Sequence, residues 1–353
     1  MGVFTTINDG SEYYQNIVYT GDGGTSRSVT YTGNSNMQPD FCLGRETSHA
    51  NGNWYVVNSI TGAGERVISN GNNAQDSNGL VSFNSDGFTV NANTNGNTNG
   101  RSYVNHGWKA AGANTSNSDG SITVNLRANT TSKFSIIRYT GNGSAGSTIG
   151  HGLGVAPDTV FIKITNSSDD WAVWHKNLGG ATLRLNSDAG ENSSKWGSFF
   201  NSTVPGSSTI TLGGDNQVNG NNNQYICFAW AEVQGFSKFG TYQGNGDSNG
   251  PMVYTGFKPS MVINKVANSG DTGNWRINNQ ASDGGVNVIN VGNNLNENIA
   301  DFSQDTFDFL SNGFKVRAVG TGDMNYGDGH VYIYMCFGES PFVNSKGVPT
   351  NAK

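Results

Sequence analysis

Short apolar stretches that end in a glycine turn occur three times along the chain. They lie at positions 17–21 (IVYTG), 136–141 (IIRYTG) and 239–244 (FGTYQG). After each stretch a proline opens a β-like run, at Pro39, Pro157 and Pro259. A pattern that returns at a regular interval indicates a repeated structural unit. We therefore predict that the chain contains three copies of one β unit.

A tryptophan and a closing strand complete each copy. Trp54, Trp171 and Trp275 lie 15, 14 and 16 residues after the three prolines. The closing strands run from a tyrosine to an aromatic residue five positions later, at 103–108, 225–230 and 332–337. Successive side chains of a strand point to opposite faces, and both faces of the second and third closing strands are apolar. We expect these strands to be covered on both sides or to lie centrally in a sheet.

The copies predict the fold class and the domain organisation. The prolines are 118 and 102 residues apart, which is too long for a solenoid coil of ~20–45 residues and suits a complete small domain. We predict an all-β protein of three tandem, mutually related β-sandwich-like domains of about 100 residues each. The boundaries fall at 1–112, at 113–234 (a polar linker and the second domain) and at 235–353. The best helix candidate, 294–302, would form one or two turns at most.

The composition restricts the partners of the protein. Charged residues are 13% of the 353 residues, against ~25% in an average chain, and 11% are aromatic. The net charge of −6 and the 20 scattered Lys and Arg residues offer no basic patch for nucleic acid. No apolar run approaches the ~20 residues that span a membrane, and no secretory signal is visible. We expect no nucleic-acid or membrane partner and three reduced, buried cysteines.

Motifs that often carry chemistry are interpreted here as turns. Positions 246–250 (GDSNG) fit a nucleophile elbow and 141–146 (GNGSAG) fit a dinucleotide fingerprint, but no helix is predicted after either. The five histidines lack metal-ligand spacing. The oxygen-rich loops 245–250 and 323–329 lack the Glu of an EF-hand and are weak calcium candidates. We assign no catalytic residue, no metal site and no cofactor.

Two tryptophans are candidates for contact with a ligand at the surface. Trp171 and Trp174 are three residues apart in a predicted strand, so their side chains face opposite ways. One of them would then be exposed, and an exposed indole stacks well on a sugar. Trp171 and Trp174 are therefore the candidate residues for contact with a surface glycan. The recurrence of a tryptophan after each proline favours core packing as the alternative.

Three stretches resemble an uncharacterised repeat-domain family from marine tailed bacteriophages. They are 150–157 (GHGLGVAP), 225–240 (YICFAWAEVQGFSKFG) and 309–317 (FLSNGFKVR). Members of that family are regarded as virion structural or tail-fibre proteins and have no agreed catalytic residues. The resemblance implies a location on the exterior of the virion, with other virion proteins as partners. The first copy departs from the family pattern, because 42–46 (CLGRE) stands where an apolar run is usual.

Taken together, the residues and the resemblance predict a structural component of a bacteriophage virion that is not an enzyme. We expect an exposed appendage or tail-fibre-like surface protein whose neutral Gly, Asn and Ser loops contact the host surface. A capsid (head) decoration protein is one alternative, and a secreted or virion-borne glycan-binding or glycan-cleaving protein is another. Weak binding at single sites requires many copies. We therefore expect a homo-oligomer, most simply a trimer, or a multicopy component of a particle.

Overall fold

The structure is a computed structural model. It describes residues 5–92, 96–110, 112–268, 270–318, 322–327, 329–341, 343–344, 346–348 and 350. Within these residues the chain is all-β, as the sequence predicts, with two short α-helices and two 3-10 turns, Gly10–Glu12 and Lys176–Leu178, among many strands. None of the helices in these ranges is long and apolar enough to cross a membrane.

The strands fall into three segments, which we call the first (1–112), second (113–234) and third (235–353) segment. The first contains β1 (Tyr14–Thr20), β2 (Arg27–Val29), β3 (Phe41–Glu46), β4 (Tyr55–Asn58), β5 (Gly62–Ile68), β6 (Ser82–Asn84), β7 (Gly87–Val90) and β8 (Ser102–Trp108). The second contains β9 (Thr115–Asn117), β10 (Val124–Asn129), β11 (Phe134–Thr140), β12 (Thr148–Gly150), β13 (Thr159–Ile164), β14 (Ala172–His175), β15 (Thr209–Thr211) and β16 (Gln224–Trp230). The third contains β17 (Ser237–Gln243), β18 (Met252–Tyr254), β19 (Met261–Val266), β20 (Arg276–Asn279), β21 (Ile289–Asn294), β22 (Phe302–Leu310), β23 (Gly313–Val316) and β24 (Val331–Phe337).

Each segment has one main antiparallel sheet. The strand orders are β1-β8-β3-β4-β5, β14-β13-β16-β11-β10-β9 and β17-β24-β19-β20-β21-β22-β23-β18. Two smaller sheets, β2-β7-β6 and β12-β15, complete the first and second segments. In every main sheet the closing strand (β8, β16 or β24) pairs with the opening strand on one side and the proline-led strand on the other. The closing strands are therefore interior strands, paired on both sides.

The closing strands also share one register. Their last residues, Trp108, Trp230 and Phe337, each lie opposite the first residue of both neighbouring strands. Those first residues are Tyr14 and Phe41, Phe134 and Thr159, and Ser237 and Met261. Trp108, Trp230 and Phe337 thus occupy equivalent positions, as their spacing in the sequence predicts.

The two faces of a main sheet belong to different cores. In β16, Phe228 and Trp230 lie in the largest apolar cluster, which collects residues from all three segments. Tyr225 and Cys227, on the opposite face, lie in a cluster made by the second segment alone. The first and third segments have outer cores of their own as well. Division into three sandwich-like domains therefore misses the largest core, which no segment forms alone.

The eight-stranded sheet of the third segment curls until it nearly closes into a barrel. Tyr242 on the edge strand β17 contacts Phe314 on β23, with ring centroids 6.1 Å apart. Val253 on the other edge strand, β18, lies in the same core. A register shift between Ile289 and Val291 of β21 marks a bulge, which bends a strand and increases its twist. One sheet thus surrounds this core, in place of the two stacked layers that a sandwich would have.

The helices lie elsewhere than the sequence suggests. Positions 294–302, the predicted candidate, contain the end of β21, a turn and the start of β22, and no helix. Instead, α1 (Ser194–Phe200) and α2 (Asn216–Asn219) cover the outer core of the second segment. Short helices depend on tertiary packing more than on propensity. In α1 that packing comes from Phe199 and Phe200, which are fully buried.

Candidate functional site

Three tryptophans join the segments in a ring. The indoles of Trp54, Trp171 and Trp275 are buried in the shared core. Each donates its Nε1–H to a backbone carbonyl of another segment at 2.8 Å: Trp54 to Asn294, Trp171 to Ile68 and Trp275 to Arg184. The first segment thus binds the third, the second binds the first, and the third binds the second. The chain closes on itself as a cycle of three.

Three buried cations repeat the same cycle. Arg45, Lys163 and Lys265 hold equivalent positions on the proline-led strands, and none is exposed to solvent. Each donates to a carbonyl of the segment that its tryptophan also contacts. Lys163 Nζ lies 3.2 Å from Asn72 O, Lys265 Nζ lies 3.0 Å from Asp188 O, and Arg45 Nη2 donates to Ile299 O. A buried charge is tolerated only when it is hydrogen-bonded or paired, so these side chains fix the loops of the neighbouring segments.

Burial shifts the protonation equilibria of these groups. It lowers the pKa of Lys163 and of Lys265 to about 8, although nearby Asp residues oppose the shift. It lowers the pKa of Arg45 to about 10 and raises the pKa of Asp301, whose charge faces Arg45, to about 6. The ring is therefore held in part by ionisable groups that lie away from water.

Both tryptophans assigned to glycan contact are buried. Trp171 is 1% exposed and Trp174 is 2% exposed. Trp171 points into the shared core, whereas Trp174 packs in the outer core of the second segment and stacks near Trp196, at 6.5 Å between ring centroids. Because both faces of β14 are covered, the opposite orientation of the two side chains exposes neither. The assignment of Trp171 and Trp174 as surface contacts is corrected to core packing.

The chemical motifs considered in the sequence lie in turns or in the interior. Positions 246–250 connect β17 to β18, and 141–146 connect β11 to β12. Of the loop 323–329, position 328 lies outside the described residues. Among the residues that are described, no group of three or more His, Cys, Asp or Glu could hold a metal ion. His106 and His175 are buried, and burial lowers the pKa of each to about 3, so both are neutral near pH 7.

Two concavities flank the short connection between the second and third segments. One, of about 290 Å³, is lined by residues that include Lys238 and Tyr254. The other, of about 470 Å³, is lined by several threonines and Lys133. Glu232 and Gln234 line both, so the two adjoin, and we call them together the junction groove. Its size is comparable with ligand sites of ~300–1,000 Å³, and its lining is more polar than is usual for them.

A network of charges fixes the centre of the junction groove. Glu232 accepts from Lys238 at 2.6 Å through Oε1 and from Lys176 at 3.2 Å through Oε2. Lys176 also contacts Asp158 at 3.1 Å, and the backbone N–H of Glu232 donates to Asp158 at 2.5 Å. A carboxylate held by two cations and an anchored backbone has a defined orientation. The groove is therefore organised before anything enters it.

The junction groove departs from the repeat. The position of Glu232, two residues after the closing aromatic, is occupied by Ala110 in the first segment and by Glu339 in the third. Ala110 is buried, and Glu339 turns inward to accept from Ser260 at 3.0 Å. Burial raises the pKa of Glu339. At this position, therefore, only the second segment among the three has a carboxylate that faces a groove.

Two features of the sequence relate to this groove, and neither was enough to place it. Glu232 and Glu339 recur at one spacing, which suggested a common structural role at a strand end. Met252 and Tyr254 alternate with buried Val253 on β18, and both outer side chains are exposed. An exposed tyrosine on an edge strand is visible as a pattern only once that strand has been located. Residues within 130–133, which line the second concavity, are about 100 positions before Glu232 in the chain.

Comparison with known proteins identifies a family and no activity. No curated protein and no solved structure matches the chain. A family model described as a domain of unknown function (DUF7483) matches residues 9–341. That match covers nearly the whole chain, from before β1 to beyond β24. The chain therefore belongs to the DUF7483 family.

Proposed function

We propose that this protein is a structural component of a bacteriophage virion and that it is displayed on the exterior of the particle. Its fold would be three related β units that have closed into a ring. The observation that carries the proposal is the cycle of buried contacts made by Trp54, Trp171 and Trp275. A ring closed by its own buried hydrogen bonds gives a stiff body, which is what a particle component needs. The resemblance to phage tail and virion proteins is the reason to propose that this particle is a phage virion.

An exposed appendage is the placement that we favour. The loops between strands are rich in Gly, Asn and Ser, and charged residues are only 13% of the chain. Such loops offer neutral donors and acceptors to a host surface and little long-range electrostatic attraction. Attachment would then depend on many copies that bind together, since each single contact is weak. We propose a homo-oligomer or a multicopy component for that reason.

A capsid decoration protein is the second candidate, and one observation favours it. Trp108, Trp230 and Phe337 meet at the centre of the ring, where the Trp108 ring lies 6.4 Å from Trp230 and 5.4 Å from Phe337. Equivalent elements of the three segments are thus arranged around one centre. A body with approximate threefold symmetry matches a threefold site on a particle, because equivalent contacts can then form three times.

We further propose that the protein is not an enzyme. Its most perturbed side chains have structural partners: Lys163 binds backbone carbonyls, and Tyr14 bonds His106 at 2.9 Å inside the core. The cysteines are free and buried, and burial raises the pKa of Cys42 to about 12, which keeps that thiol protonated. These groups stabilise the ring and are closed to substrate.

Labelling of purified particles tests the proposal. Antibodies raised against the chain are bound to particles of the phage that encodes it, and gold particles are located by electron microscopy. Label on the tail supports the appendage, and label on the head supports decoration. If neither labelling nor peptide mass spectrometry detects the protein in density-purified particles, a virion role is refuted. Incubation of the protein with host envelopes, followed by measurement of released sugar, tests the glycan-cleaving alternative.

A further inference from the structure

We infer that the junction groove binds a saccharide that carries carboxylate groups. This inference deepens the proposed contact with the host surface and rests on it for its biological meaning. The groove is defined by Lys133, Glu232, Gln234, Lys238 and Tyr254. One concavity lies where the second segment meets the third, and the other lies where the second segment meets the start of the first. Its shape, its exposed aromatic ring and its balance of charge each indicate this class of ligand.

The shape of the groove suits a chain of sugar rings. Its two concavities, of about 290 and 470 Å³, meet at Glu232 and Gln234 and are both open at the surface. Two adjoining open concavities can hold neighbouring rings of an oligomer, whereas a single enclosed pocket would accept only one small molecule. Threonine hydroxyls at Thr6 and Thr131 and the amide of Gln234 line the second concavity, and all three side chains are exposed. Hydroxyls and amides both donate and accept, as sugar hydroxyls require.

Tyr254 provides the apolar surface that a sugar ring needs. Its side chain is 62% exposed on the edge strand β18, next to the polar lining. An exposed aromatic ring beside a polar groove is costly in water and useful in recognition, since the ring contributes contact area at low entropic cost. The C–H face of a pyranose can lie on such a ring while its hydroxyls reach the groove.

The charges in the groove favour an anionic sugar. The charged residues of the lining are Lys133, Lys238 and Glu232, so the cations outnumber the anion by two to one. An ammonium group has three N–H donors. The contacts described above use one of these on Lys133, which donates to Leu153 O at 3.1 Å, and one on Lys238. The remaining donors are available to a ligand carboxylate, and Glu232 is left to accept from sugar hydroxyls.

The repeat supplies an independent reason to treat this groove as specialised. Lys238 lies at the register position that Gln15 holds in the first segment and Ser135 in the second. Neither of those residues is charged, and both are buried. The lysine and the groove-facing Glu232 therefore occur together at one junction of the three. A scaffold role alone does not require this difference, because the ring closes at the other junctions without it.

Calorimetric titration of the purified chain tests the inference. The probes are oligogalacturonate, alginate oligosaccharide and sialyllactose, with maltooligosaccharide as the uncharged comparison. We expect at least one carboxylated probe to bind more tightly than maltooligosaccharide. Tyr254→Ala should weaken that binding about tenfold, which corresponds to roughly 1.4 kcal/mol. Lys133→Gln should weaken the carboxylated probe and leave any binding of maltooligosaccharide unchanged.

Tyr326→Ala is the matched control, because Tyr326 is also an exposed tyrosine of the third segment, at 45%, and lies outside the groove lining. It should leave binding unchanged, and circular dichroism should show all variants folded. Failure of all three carboxylated probes to bind, equal affinity for maltooligosaccharide, or an equal effect of Tyr326→Ala would each overturn the inference. None of these outcomes alters the particle-labelling result, so the two proposals fail separately.

Discussion

Replacement of Trp171 by Phe tests whether the ring of indole hydrogen bonds stabilises the protein. The Trp171 indole is 1% exposed and donates to Ile68 O across the boundary between the first two segments. Phenylalanine keeps an aromatic ring but leaves the Ile68 carbonyl buried without its donor, which costs about 1–3 kcal/mol. The smaller ring also loses packing contacts. A core change from Trp to Ala costs ~3–5 kcal/mol, which is an upper limit for this loss. We expect Trp171→Phe to lower the free energy of unfolding by about 2–4 kcal/mol.

Trp230→Phe is the matched control in the same core. Within the described part of the chain, the indole N–H of Trp230 is buried and has no hydrogen-bond partner. The change therefore removes similar volume without breaking a bond, and it relieves an unpaired donor. Phe337 already occupies the equivalent position in the third segment. We expect a loss of about 1 kcal/mol or less, so the difference between the two variants isolates the hydrogen bond.

Urea unfolding followed by far-ultraviolet circular dichroism measures both variants, since that signal does not depend on the deleted indole. We expect one cooperative transition for each, because the segments share their largest core. The reasoning is refuted if Trp171→Phe destabilises the chain no more than Trp230→Phe. A transition that separates into two steps in the wild type would also contradict it, since the segments would then unfold independently.

The remaining predictions concern thiols, pH and the separate segments. Native protein should react slowly with a thiol reagent, and three thiols per chain should react once the protein is unfolded. Rapid reaction of Cys227 in the native state would contradict its burial. The pKa of Lys163 is about 8 in the folded chain, against 10.5 for a lysine in water. The unfolded chain therefore binds more protons between those values, and the free energy of unfolding rises with pH there. Between pH 8 and 9.5 the free energy of unfolding of Lys163→Met should therefore rise by about 1–2 kcal/mol less than that of the wild type, measured from urea midpoints. The same pH dependence in both proteins would contradict this prediction. A fragment of residues 113–234 exposes Phe228 and Trp230 and should bind a hydrophobic dye and unfold without cooperativity; a sharp transition would show that the segment folds alone.

Local pattern was enough to establish the strands of the repeat and their equivalence. Alternation along 225–230 makes both faces apolar, and only a strand covered on both sides tolerates that. The constant five-residue spacing then places Trp108, Trp230 and Phe337 at one register position, which the pairing confirms. These features depend on neighbours within a few residues, so one sequence contains all the information they need.

The sequence could not show what covers those faces. Trp54 binds the carbonyl of Asn294, which is 240 residues away, and Lys163 binds that of Asn72. The alternation of side chains along a strand identifies an apolar face. It does not indicate whether a second layer of the same segment or another segment packs against that face. The same limit explains why Trp171 and Trp174 could be assigned to the surface, although each lies in a different core.

The junction groove shows most clearly which features the sequence determines and which only the tertiary structure decides. The repeated sequence predicts that Glu232 and Glu339 have one role, because the spacing of both from the closing aromatic is the same. Tertiary structure separates them: Glu339 accepts a hydrogen bond from Ser260 inside the third segment, and Glu232 meets Lys238 at an open junction. The sequence by itself therefore determined the β class, the recurring pattern and the residues of the closing strands. Only the folded chain decided the ring, the shared core and the carboxylate that faces the groove, since burial depends on which distant segment packs against each face.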